Sequence, residues 1–176
     1  MMTWRRFVAI AFLVGVAGSA GARDRTDVTP PRPIGSQEVE VVAVMVDPRT
    51  QTPAVVLEGR RDKRQITMAI GLAEATGIAV PLQGVTPPRP LTHDLFLTLF
   101  GRLKVSLTRV VITDLRDDVY YATLHLTAGG HDMVLDSRPS DAIALAIRAK
   151  APVLVEDRVF DKAGTTSPPP ATRPHI

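Results

Sequence analysis

The chain has 176 residues, 45% apolar and 22% charged, enough for one domain of ordinary size with a packed core. That balance excludes a wholly disordered or collagen-like chain. The absence of cysteine excludes thiol catalysis, cysteine-ligated zinc, iron–sulfur clusters and disulfide stapling. The net charge is +3, but the excess lies at the two ends and residues 37–160 sum to −1, so the core's net charge encodes no basic face for a polyphosphate.

Met1–Arg6 forms a short basic region, Phe7–Gly18 an apolar run, and Ala20-Gly21-Ala22 an A-x-A cleavage site before Arg23. This is the order of a secretory signal, and the run is shorter than the ~20 residues a spanning helix needs. The expectation is a mature protein that begins at Arg23 outside the cytoplasm, periplasmic or secreted, with no membrane attachment after cleavage. Residues 23–36 read as a Pro-containing linker and residues 164–176 as a Pro-rich disordered tail, leaving a domain at 37–163.

Within the domain, Val39–Val46 and Ala54–Glu58 predict strands around an Asp47-Pro48 turn, and Gln65–Ile70 alternates apolar residues. Leu72–Leu82 predicts a helix weakened by Gly77 and distorted or ended early by Pro81. Thr92–Leu103 predicts a helix with Thr92 as N-cap and Leu95, Leu99 and Leu103 on one apolar face. Val105–Thr113 and Val119–Thr127 predict strands around Asp114–Asp118, and His131–Asp136 a hairpin strand after Gly129-Gly130. Ser140–Lys150 predicts a third helix with Ser140 as N-cap, and Pro152–Glu156 a last short strand. Hairpin strands mixed with about three helices predict an α+β fold, a mixed and largely antiparallel sheet with the helices packed on it.

Chemistry concentrates in three polar clusters: Thr92-His93-Asp94, Asp114 to Asp118, and Asp136 to Asp141. Asp94 and Asp141 each fall in a predicted first helical turn, where a carboxylate gains roughly 0.3–1 kcal/mol from the macrodipole, so capping alone accounts for them. With Asp136 they also supply hard oxygen ligands of the kind Mg²⁺ or Mn²⁺ takes. A helix N-terminus binds phosphate directly, but an acid in that turn repels it unless a cation bridges the two. Phosphate chemistry at these positions therefore implies a metal. His93, beside an acid at a helix start, is a candidate general base or an exposed residue without a role. Arg138 offers a fork to a phosphate or pairs internally with Asp136 or Asp141. Asp117 and Asp118 read as turn residues, and Tyr120 and Tyr121 point to opposite faces of a strand. No nucleophile elbow, Walker loop, dinucleotide fingerprint or HExxH motif is present.

The segments Pro87-Pro88-Arg89-Pro90-Leu91-Thr92-His93-Asp94-Leu95, Val110 to Asp117, and Asp136 to Ala146 resemble the bifunctional nuclease domain family, and the resemblance spans about Val39 to Gly164. It implies nuclease activity on RNA and DNA and an α+β fold that tends to form homo-oligomers. On the motif positions and the ligand argument, His93 and Arg138 are the expected catalytic residues. Asp94, Asp136 and Asp141 are the expected ligands of Mg²⁺ or Mn²⁺, and Arg89 and Arg116 the expected contacts to a nucleic-acid substrate. The rival expectation is a non-catalytic oligomeric binding domain whose acids cap helices.

Overall fold

A computed structural model describes residues 35–48 and 50–164. The signal sequence, most of the proposed linker and nearly all of the proposed tail lie outside the described residues. Among the described residues the chain runs β1 (Ser36–Val46), β2 (Pro53–Gly59), β3 (Gln65–Ala69), α1 (Leu72–Leu82), α2 (Thr92–Arg102), β4 (Val105–Arg116), β5 (Val119–Ala128), β6 (His131–Ser137), α3 (Pro139–Ala149), β7 (Val153–Glu156) and α4 (Asp157–Ala163). The strands form one sheet in the order β3-β2-β1-β7-β4-β5-β6. β7 inserts between β1, to which it is antiparallel, and β4, to which it is parallel; the other pairs are antiparallel. The fold is α+β, as the sequence predicts, with one helix more.

Turn chemistry sets the register of the second meander. Asp117 and Asp118 both take positive φ, 47° and 61°, as a two-residue type I′ hairpin between β4 and β5 requires. Gly129 and Gly130 do the same between β5 and β6 at 57° and 82°. With these registers fixed, Ala122, Leu124 and Leu126 of β5 share one buried face. Central strands are covered on both sides: Val110, Val111 and Ile112 of β4 and Val153, Leu154 and Val155 of β7 are consecutively buried. α3 is the spine of the helix layer, burying Ala142 to Ala146 against β4 and β5 and packing against both α1 and α2.

Three expectations about helices are corrected. Leu91, not Thr92, is the N-cap of α2, and Arg138, not Ser140, is the N-cap of α3; both have extended backbones. Pro139 takes the first helical position, where its fixed φ fits and its missing N–H leaves no bond unmade. The Leu95–Leu99–Leu103 face is exposed rather than packed, and Leu97 and Phe100 turn to the core instead. α4 is the additional helix, buried through Val159 and Phe160.

A histidine–aspartate–arginine cleft as candidate active site

α1, α2 and α3 meet at their packing junction around a cleft of ≈ 340 Å³. Glu74 and Gly77 of α1, Leu91 and His93 at the start of α2, and Arg138 and Asp141 at the start of α3 line it. His93 is nearly buried, its Nε2 3.3 Å from Asp141 Oδ1. The other oxygen of Asp141 accepts a 2.7 Å hydrogen bond from Arg138 Nε, and Arg138 Nη2 lies 2.9 Å from Glu74 Oε1. Asp141 first, then Glu74, raises the Arg138 guanidinium above its ordinary range and keeps it charged.

Gly77 makes the approach of His93 possible. A Cβ at this position would stand 2.8 Å from His93 Cε1 and 2.9 Å from Nδ1. With Nδ1 packed on α1 and Nε2 turned to Asp141, the carboxylate is the more exposed part of the dyad, its side chain about one-third exposed. The arrangement suits Asp141 as the group that meets a reacting water, backed by an imidazole on one oxygen and an arginine on the other.

Pro81 does not end α1 early. As a proline it has no N–H to donate to the carbonyl of Gly77, four residues back. Arg148 of α3 takes the vacancy: Nη1 donates to Gly77 O at 2.5 Å and to Ala144 O at 2.9 Å, and Nε donates to Asp94 Oδ1 at 2.6 Å. The second oxygen of Asp94 accepts the Leu91 N–H at 2.8 Å, half of a capping box at the start of α2. Burial alone would raise the Asp94 carboxyl, but Arg148 and the Leu91 N–H hold it below the usual aspartate range. Arg148 thus ties three helices together behind the cleft, a role the sequence reading missed.

The expected site residues divide accordingly. His93, Asp141 and Arg138 come together. Asp94 is adjacent but spent on Arg148 and Leu91. Asp136 sits in β6 opposite Thr123, one residue from Leu135, which pairs with the buried Leu124. Strand alternation therefore turns Asp136 to the sheet face away from the helices. Among the described residues no three His, Asp or Glu side chains are grouped to hold a metal ion, so Asp94, Asp136 and Asp141 do not form one centre. Arg89 is exposed in the loop before α2. Arg116 ends β4, with Nε 2.7 Å from Asp114 Oδ2 and its guanidinium 4.6 Å from the Tyr121 ring centre, outside the cleft lining.

The bifunctional nuclease domain model matches residues 55–168. An uncharacterized protein of Mycobacterium tuberculosis is 39% identical over 131 residues, covering 74% of this chain and 78% of its own. A protein named bifunctional nuclease 1 from Oryza sativa subsp. indica is 31% identical over 111 residues, covering 60% of this chain and 33% of its own. A match across most of the domain, with every residue of the cleft inside it, means that the chain belongs to the bifunctional nuclease domain family.

Proposed function

We propose that this chain is a nuclease that hydrolyses phosphodiester bonds in RNA or DNA at the Asp141 cleft. The observation that carries the reading is Asp141 held between His93 and Arg138 at the edge of a solvent-open cleft in a nuclease-family domain. In this scheme Asp141 orients the attacking water and accepts its proton while His93 steadies the carboxylate; the P–O bond to one sugar oxygen breaks as the new bond forms, and that oxygen leaves as the alcohol, protonated by solvent in the open cleft. Arg138 leaves Glu74 to meet the phosphate, where its fixed charge stabilises the negative charge that builds in the transition state. Arg89, exposed beside Leu91, supplies a contact to the strand, and Arg116 a more distant one. The export reading of residues 1–22 belongs to the same proposal, with the product found outside the cytoplasm; N-terminal sequencing of the exported protein should begin at Arg23.

The test is hydrolysis of labelled single-stranded RNA and DNA by the full chain, with Mg²⁺, Mn²⁺ or EDTA. Asp141→Asn and Arg138→Ala should each cost about 10²-fold or more in rate. Asp94→Asn should leave the rate of the folded fraction nearly intact. The EDTA arm addresses the expected cation: Asp141 and Glu74 line the cleft, and Mg²⁺ commonly takes one or two carboxylates beside substrate phosphates. Turnover unchanged by Asp141→Asn would overturn the scheme. A non-catalytic binding domain is favoured by one observation, the double pairing of Arg138 with Asp141 and Glu74, and it predicts no turnover with any cation.

A further inference from the structure

The sheet face turned away from the helices carries a cation that no acid balances. Arg109 of β4 pairs with His125 of β5, and His125 alternates with Leu124 and Leu126, which the helix layer buries. Arg109 and His125 therefore project together from the opposite face. Of the three described arginines that are not exposed, Arg64 holds Asp62, Asp157 and Asp161, and Arg148 holds Asp94. Arg109 holds no carboxylate among the described residues. Its Nη2 lies 3.2 Å from His125 Nδ1, and its Nε is buried without a hydrogen bond. A guanidinium only donates, which assigns Nδ1 as the accepting nitrogen of a neutral ring and leaves the proton on Nε2, 3.3 Å from Thr123 Oγ1. A half-buried guanidinium whose partner is an uncharged ring is electrostatically uncompensated.

We infer that Arg109, His125 and Thr123 form a binding site for one phosphate group on the open face of the sheet. A guanidinium fork, an imidazole and a hydroxyl converge there from adjacent strands. That is more donor directions than the two oxygens of a carboxylate use, and it suits a tetrahedral oxyanion. Burial first, and Arg109 second, disfavour the charged form of His125. An anion between the two groups reverses the second cause. His125 then takes a proton on Nδ1 and donates to the anion beside Arg109. The groups that face His125 are Arg109 from β4 and, from the edge strand β6, Val134 directly opposite with Asp132 and Asp136 two residues to either side. Asp132 accepts from Thr127 Oγ1 at 2.9 Å. These two exposed carboxylates repel further negative charge, so the site suits a single phosphate, free or at the end of a nucleotide, and not the track of a strand. None of the three residues lines the Asp141 cleft, so the inference stands apart from the nuclease reading.

NMR of the histidine ring signals of the full chain, in a buffer free of phosphate, tests it; His125→Gln identifies the His125 signals. Inorganic phosphate should shift those signals saturably and move the His125 titration to higher pH. Arg109→Met should weaken this binding about tenfold or more, and Thr123→Val about threefold. Circular dichroism reports whether each variant folds, and Thr123→Val, which keeps the shape of the side chain, decides the matter if Arg109→Met does not fold. Arg138→Ala takes the arginine out of the cleft and should leave the His125 response intact, which separates this site from the proposed active site. Adenosine monophosphate distinguishes the source. Affinity no tighter than that of inorganic phosphate means a phosphate site, and tighter binding means a nucleotide site. His125 signals that move with neither probe would overturn the proposal. So would an affinity that no folded variant of Arg109 or Thr123 weakens.

Discussion

Gly77 and Pro81 read in the sequence as two flaws in one short helix, and the folded chain gives each a partner far away in sequence. Gly77 admits the His93 ring, and Pro81 leaves free the carbonyl that Arg148 binds. Both signals were visible as anomalies. What they were for was not, because Arg148 lies 71 residues from Gly77. Replacing Arg148 with Met keeps most of the stem but strands the Gly77 carbonyl and the Asp94 carboxylate, so stability should fall by about 3 kcal/mol in a urea titration. Gly77→Ala separates two effects. Helix propensity alone would stabilise α1 by up to ~1 kcal/mol, yet the added methyl meets a nearly buried ring at 2.8 Å. We expect net destabilisation, with the proposed hydrolysis slowed because His93 is displaced from Asp141. His93→Ala should abolish the penalty of Gly77→Ala in a double-mutant cycle; additive losses would mean that the ring is not what the methyl strikes.

At the scale of elements, the boundaries and types of the strands and of α1 to α3 were legible, since alternation, turn residues and apolar spacing are local signals. The facing of α2 was not. Leu95, Leu99 and Leu103 fit a buried stripe, but His93, Leu97 and Phe100, at spacings of four and three, fit one as well. Contact with α3 decides between them, and local sequence does not. α4 escaped notice for a related reason. Seven residues show no periodicity worth reading, and their hold on the fold is long-range: Lys162 Nζ meets Asp114 Oδ1 at 2.6 Å, Arg64 meets Asp161 at 2.8 Å, and the Arg64 guanidinium lies 4.6 Å over the Phe160 ring. The N-cap of α2 lies one residue before the position the sequence predicts, because Thr92 is a good capping residue type and Leu91 is not. The consequence is measurable. Thr92→Ala, at an exposed first helical position, should change stability by less than about 0.5 kcal/mol. Asp94→Ala removes both the Leu91 bond and the Arg148 pair, and should cost about 2 kcal/mol in the same titration. The reverse ranking would restore Thr92 as the cap.

At the scale of the whole molecule, three carboxylates join separate parts of the fold, and their shared acid sensitivity predicts how the protein fails. Burial raises the Asp62 carboxyl, but hydrogen bonds from Gln37 Nε2 and the Arg64 backbone, with the Arg64 guanidinium, lower it to about 2, linking β1 to the start of β3. Lys162 and then Arg116 hold Asp114 far below the usual range, fastening α4 to β4. Asp94 is lowered at the helix junction. Each group has a folded value below its unfolded one, so its contribution is complete above about pH 4 and is lost as pH falls further, for Asp62 down to about pH 2. His125 adds an earlier limb. Burial first, and then Arg109, whose Nη2 lies 3.2 Å from the ring nitrogen Nδ1, disfavour its charged form. The unfolded chain therefore takes up that proton more readily than the folded one as pH drops through about 6.5, and stability declines there too. Denaturation midpoints measured from pH 8 to pH 3 should fall in two stages, a shallow one near pH 6 and a steeper one below pH 4. His125→Gln should remove the first stage and leave the second, whereas Asp114→Asn should lower the plateau and flatten the second. A single decline beginning near pH 4 in the wild type would mean that His125 titrates alike in the folded and unfolded chains.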